Sequence, residues 1–141
     1  AHRALLDYGK PIIQDRTIYE DAEVFATHLS ESGLMSTDEF KTYHDLYYEF
    51  VQLLPAPTLM IYLRARVDTL IERIHKRGRP EERAIPKVYL ESLHTLYEGW
   101  FQRYERSPKL VIEVDDLDYV NSDKDRHFVI NLIRAQLKEI L

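Results

Sequence analysis

The chain has 141 residues, a formal net charge of −5 and no cysteine. That length suits one domain, the missing cysteines exclude disulfides and thiolate metal sites, and the acidic balance argues against a nucleic-acid partner, which binds through a basic face that neutralises phosphates. No apolar run approaches the roughly 20 residues of a membrane-crossing helix, and no signal peptide is read, so a cytoplasmic protein with no membrane partner is expected.

In chain order, Lys10 to Asp15 (KPIIQD) reads as a short strand after a glycine turn. Ile18 to Ser32 has helical spacing at Ile18, Ala22, Phe25, Ala26 and Leu29, and Gly33 stands where that helix should stop. Ser36-Thr37-Asp38-Glu39 is a capping-box pattern that starts a second helix. Phe40, Tyr43, Leu46, Tyr47, Phe50, Val51 and Leu54 give this helix an aromatic-rich side, and Pro55 and Pro57 end it. The stripe suits core packing or a helix-pair dimer surface. Thr58 to Leu63 (TLMIYL) reads as a strand buried on both faces of a parallel sheet.

A helix is expected over Asp68 to Lys76, with Leu70, Ile71 and Ile74 inward and Gly78 after its basic end. Pro86 suits the first turn of the next helix, which carries Tyr89, Leu90, Leu93, Leu96, Tyr97, Trp100, Phe101 and Tyr104. Leu110 to Val114 reads as another buried strand. Asp123 is placed to cap a final helix with Val129, Leu132, Ile133, Leu137 and Ile140 inside. Apolar strands joined by helical crossovers predict an α/β fold with a parallel sheet flanked by helices. Ligands of such sheets sit at the carboxyl ends of the strands.

Charged groups at those ends are the candidate site. Asp15-Arg16-Thr17 follows the first predicted strand. A carboxylate there can help hold Mg²⁺ and a guanidinium can grip phosphoryl or hydroxyl oxygens; a local ion pair at a helix start is the plainer alternative. Arg73, Arg77, Arg79 and Arg83, with Glu81 and Glu82, surround Gly78 and Pro80. Arg73 and Arg77 share a helix face. Such a group is either a solvated turn or a mobile lid whose arginines stabilise a transferring phosphoryl group. The acidic run Glu113 to Asp118 reads as a solvated loop in preference to a metal site. The six histidines stand singly, without an H-x-x-x-H pair, so a zinc site is not expected.

Two stretches carry a wider likeness. DRTIYEDAEVFA (Asp15 to Ala26) is similar to the acid-Arg-Ser motif of the deoxynucleoside kinases and the Tyr, Asp and Phe that follow it. RGRPEERAIPKVYLESLHTLYEGW (Arg77 to Trp100) resembles that family's R-x-R-x-E-E lid and the helix after it. The likeness is strongest to the deoxycytidine, deoxyguanosine and bacterial deoxyadenosine kinases and runs more weakly to the C-terminus. It implies a P-loop-kinase-like fold over residues 1–141, with a lid at about 77–86. The implied activity is transfer of the γ-phosphate of ATP or another NTP, with Mg²⁺, to the 5′-hydroxyl of a deoxynucleoside in nucleotide salvage. The implied partners are these small molecules and a second copy or a related kinase subunit.

The resemblance also assigns roles. Asp15 stands for the acid that organises Mg²⁺, an aspartate where many members have glutamate, and Thr17 stands where serine is common. Arg16 falls near the 5′-hydroxyl and the transferred phosphate, with Arg73 and Arg77 as further catalytic arginines. Asp21 would read the base edge, Phe25 would stack on the base, and Glu82 would accept from the sugar 3′-hydroxyl. Arg73, Arg77 and Arg79 would hold the donor phosphates, and Asp118 and Tyr119 would lie against the donor base. Asp21 favours a purine deoxynucleoside or deoxycytidine over thymidine.

Other family parts do not occur in the sequence. There is no G-x-x-x-x-G-K-[ST] loop, no general-base glutamate soon after a first strand, no acceptor-sugar tyrosine and no base-reading glutamine. The opening AHRALLDYG reads as the tail of a helix. The expectation is therefore the C-terminal portion of a longer kinase, without the N-terminal strand and P-loop, and inactive alone. Two other functions stay open: a nucleoside monophosphate kinase, against which the Glu81-Glu82 pair argues, and a non-catalytic nucleotide-binding or assembly module.

Overall fold

The structure is a computed structural model and describes residues 12–141. The helix tail read in AHRALLDYG, and Lys10 and Pro11 of the first predicted strand, lie outside these residues. The described chain falls into two compact units, one built from the residues up to Pro55 with Thr95–Trp100, the other from Ala56–His94 with Phe101–Leu141.

In the first unit, no strand forms over Ile12 to Asp15, against expectation. A strand needs a ladder partner, and the sheet of the described residues has two strands, both in the other unit. Ile13 is fully solvent-facing (99%). The helix expected over Ile18 to Ser32 is three segments: α1 (Ile18–Glu20), a π-helical stretch (Asp21–Ala26) and α2 (Thr27–Glu31). Thr17 starts it with a capping box, its hydroxyl accepting from the Tyr19 amide at 3.2 Å while the Thr17 amide donates to the Glu20 carboxylate at 2.9 Å. Inside the widened turn the Thr27 hydroxyl donates to the Ala22 carbonyl at 3.2 Å.

The end at Gly33 is as read. Gly33 has φ 70°, its amide bonds the Ser30 carbonyl (3.0 Å), and the Leu34 amide bonds the Leu29 carbonyl (2.8 Å). That pair of bonds satisfies carbonyls the helix leaves open. Helix α3 (Thr37–Gln52) starts at Ser36 with the expected capping box. Its Tyr47 and Val51 are buried, whereas Leu46 and Phe50 are exposed.

The second unit is a parallel β–α–β arrangement. Strand β1 (Met60–Arg64) pairs with β2 (Lys109–Glu113) in the register Met60 to Lys109 through Arg64 to Glu113. The crossover runs through α4 (Val67–Arg77), a 3₁₀ turn (Pro80–Glu82) and α5 (Lys87–Arg103), of which Thr95–Trp100 are counted with the first unit. Helix α6 (Asp123–Ile140) follows β2. Alternation along the strands sends Ile61, Leu110 and Ile112 to one face, where Leu70 of α4 and Val129, Leu132 and Ile133 of α6 complete a core with Ala65 and Val114. Tyr62 points to the opposite face and meets Phe101 (ring centroids 5.1 Å apart).

The strands are less buried than expected. Leu63 and Val111 remain 42% and 36% exposed, because among the described residues β1 and β2 pair only with each other and each has one open edge. The cap of α6 is also one residue earlier than expected: Ser122 accepts from the Asp125 amide at 3.3 Å, and Asp123 is already helical. Both residues are good caps, but the Asp123 carboxylate instead pairs with Arg126 one turn on (2.7 Å).

Candidate functional site

Asp15, Arg16, Asp21 and Phe25 belong to the first unit. Asp15 and Arg16 form an exposed bend before α1. Arg16 has φ 60°, a left-handed backbone that is unfavourable for a residue with a Cβ. Its guanidinium lies 4.1 Å from the centre of the Phe25 ring, in the range of a cation–π contact. Phe25 is half-buried, not a core residue, and meets Tyr97 of α5 edge to face (6.1 Å, 86°). The Arg16 guanidinium also lies near the Tyr97 phenol and favours its ionised form. Burial, and then the nearby Glu20 charge, push the Tyr97 phenol above its usual range.

Asp21 opens the π-helical stretch and is exposed. Its charge helps raise the Tyr43 phenol, after burial as the larger cause. Arg16, Asp21 and Phe25 thus converge on one neighbourhood shared with Tyr43 and Tyr97. Neither tyrosine stands out as a site residue in the sequence. Tyr97 reads there as core, because its spacing on α5 matches Leu93 and Trp100.

The other candidates belong to the second unit. A cleft of about 650 Å³ opens between α4 and the loop from β2 to α6, at the carboxyl end of β2. Arg73, Arg77, Asp118 and Tyr119 all line it, together with Lys76 and Asn121. Open parallel sheets take their ligands at this end. Arg79 and Glu82 are not among its lining residues.

Several of these groups already have work inside the protein. The Arg73 guanidinium donates to the Val114 carbonyl and to the Leu117 carbonyl (3.0 Å), so it braces the loop after β2. Asp118 accepts from the Asn121 amide (3.1 Å) and side chain (3.0 Å) and pairs with Lys76 (3.4 Å). The Asn121 bonds, and then Lys76, hold its carboxyl below the usual range. Tyr119 packs against the core.

Arg77, at the end of α4, and Arg79, just after it, are paired inside the protein. The Glu82 carboxylate takes Arg77 through Nε (2.9 Å) and Nη2 (2.7 Å), and lies 3.5 Å from Arg79 Nη1. The 3₁₀ turn of Pro80–Glu82 folds this glutamate back over the end of α4. Alternating charges at this separation signal such a clamp only if the turn is known. Gly78 permits the turn with φ 70°.

The acidic run after β2 is bonded rather than merely solvated. Glu113 pairs with Arg64 across the strands (2.9 Å). Asp115 accepts from the Thr69 hydroxyl (2.6 Å) and the Arg66 amide (2.9 Å), closing the start of α4 onto the end of β2. The Thr69 bond, and then the Arg66 amide, lower the Asp115 carboxyl. Among the described residues no three His, Asp or Glu side chains converge as a metal cluster.

The chain belongs to the deoxynucleoside kinase family, whose sequence profile, Deoxynucleoside kinase, matches residues 1–138. It is 30% identical over 139 residues to the deoxyadenosine/deoxycytidine kinase of Bacillus subtilis, an alignment covering 97% of this chain and 64% of that protein. It is 34% identical over 137 residues to a deoxyguanosine kinase of Lactobacillus acidophilus, covering 91% of this chain and 60% of that one. The solved structure of deoxyadenosine kinase from M. mycoides with bound dATP superposes with a TM-score of 0.72 at 28% identity, over 95% of this chain and 69% of that one. The chain therefore spans less than two thirds of the length of these two curated relatives, and its fold is that of the P-loop-kinase-like α/β class.

Proposed function

We propose that the protein is a deoxynucleoside 5′-kinase that transfers the γ-phosphate of ATP or another NTP to a purine deoxynucleoside, deoxyguanosine or deoxyadenosine, with deoxycytidine a further substrate. The observation that carries this reading is the cleft at the carboxyl end of β2, where Arg73, Arg77, Asp118 and Tyr119 meet in a chain of this family. Arg77 and Lys76 there can face donor phosphates, and the loop of Asp118 and Tyr119 can face the donor base. Arg79 and Glu82 extend this group along the proposed lid at 77–86. Binding by phosphate oxygens would have to displace Glu82 from Arg77 and Arg79, which frees the carboxylate for the acceptor sugar hydroxyl.

On the acceptor side, Arg16 is the residue for the 5′-oxygen and the transferred phosphoryl group, Phe25 the stacking surface and Asp21 the reader of the base edge. A carboxylate accepts from an exocyclic amino group or ring N–H, which purines and cytosine offer. Mg²⁺ is usually held by one or two carboxylates and substrate phosphates. The exposed Asp15 carboxylate fits an ion that arrives with a triphosphate, and that ion would neutralise charge on the transferring group. A homodimer, or a heterodimer with a related subunit, is proposed through α3, where Tyr43, Leu46 and Phe50 present exposed apolar surface at helical spacing.

The test is ATP-dependent 5′-phosphorylation of deoxyadenosine, deoxyguanosine, deoxycytidine and thymidine, side by side, by the full-length gene product. Turnover of one or both purines well above thymidine is expected. A folded protein that phosphorylates none of the four is a binding module instead.

A further inference from the structure

Arg16 presents a problem of placement. Its backbone is left-handed, it lies in an exposed bend, and long side chains in such places lose considerable rotamer freedom when fixed. Yet its guanidinium lies over the Phe25 ring at 4.1 Å and close enough to the Tyr97 phenol to act on its ionisation. Tyr97 in turn meets Phe25 edge to face at 6.1 Å. The three side chains form a closed triangle, and Tyr97 is the member supplied by a distant part of the sequence.

We propose that Tyr97 is a positioning residue of the acceptor site: its hydroxyl sets the Arg16 guanidinium, and its ring sets the Phe25 ring. This inference rests on the kinase reading above, in which Arg16 serves the phosphoryl group and Phe25 the base. One side chain then fixes both ends of the acceptor nucleoside. The two contacts are chemically separable, because phenylalanine keeps the ring and loses only the hydroxyl. Trp100, one turn further along α5, meets the Tyr97 ring edge to face (6.2 Å, 71°), a contact that does not involve the hydroxyl.

The experiment is steady-state kinetics of the full-length gene product and its Tyr97→Phe and Tyr97→Leu variants on the preferred deoxynucleoside, with melting temperatures for each. Tyr97→Phe should lower kcat about tenfold, the scale of one hydrogen bond to a charged group, while the acceptor KM stays nearly constant. Tyr97→Leu should show the same loss in kcat and also a raised acceptor KM, since the Phe25 ring loses its neighbour. A purely structural role would lower the melting temperature and leave kcat per folded molecule unchanged. Wild-type kcat in Tyr97→Phe overturns the proposal and leaves the kinase reading intact. If the unaltered protein phosphorylates no deoxynucleoside, the kinase reading fails and this inference falls with it.

Discussion

Ion pairs reached by solvent contribute about 0–1 kcal/mol, which limits what Glu82 does for stability. Its partners Arg77 and Arg79 are 49% and 62% exposed. Glu82→Ala is therefore expected to leave the melting temperature almost unchanged, while the acceptor KM of the full-length protein rises. A drop of many degrees would show that the clamp organises more than the turn. Asp115 is the contrasting case, because it bonds two donors at the start of α4 and its side chain is largely covered (18% exposed). Asp115→Ala should cost about 1 kcal/mol, the usual net contribution of a hydrogen bond, seen as a lower denaturant midpoint at unchanged slope. Its folded pKa is depressed, so its stabilisation is fully present above the unfolded value of about 3.9. It fades as pH falls through the lower folded value. Denaturation followed below about pH 4 should show a shallower acid loss in Asp115→Asn than in the wild type. The residue types at both positions are plain in the sequence. Their partners are not, because Thr69 and Asp115 meet only once β2 lies beside β1.

At the scale of elements, the sequence is most informative where local chemistry decides. The capping box at Ser36, the stop at Gly33, the basic end of α4 before Gly78 and the apolar runs of β1 and β2 all appear within a residue or two of expectation. It is least informative where a neighbour decides. KPIIQD has the composition of a strand, but Ile12 to Asp15 find no ladder among the described residues. The π-helical turn of Asp21–Ala26 shifts the hydrogen-bond ladder by one residue, and no residue type announces it. Such turns occur often at functional sites, and this one carries both Asp21 and Phe25. Gly78 offers a test of backbone against packing. A Cβ there would meet nothing closer than the His75 carbonyl at 3.9 Å. Gly78→Ala should therefore cost about 1 kcal/mol through its positive φ alone, and Gly78→Asn should recover part of it in a thermal melt.

For the whole molecule, the decisive tests concern completeness and association. The 141 residues contain no phosphate-cradling G-x-x-x-x-G-K-[ST] loop, so the segment assayed by itself is expected to show no turnover, whatever the full-length protein does. Sedimentation of the full-length protein at micromolar concentration should show a dimer, and Phe50→Glu on α3 should shift it toward monomer. On the kinase reading proposed above, Arg16 would link stability to activity in a different manner. Its left-handed backbone disfavours any side chain by about 1–2 kcal/mol, and glycine would remove that strain. Arg16→Gly should thus leave the fold at least as heat-resistant while phosphoryl transfer collapses. A population of variants screened for thermal survival alone would drift to glycine here and fall silent, whereas one screened for growth on salvaged nucleosides would keep the arginine. The two screens would therefore pull this single position in opposite directions.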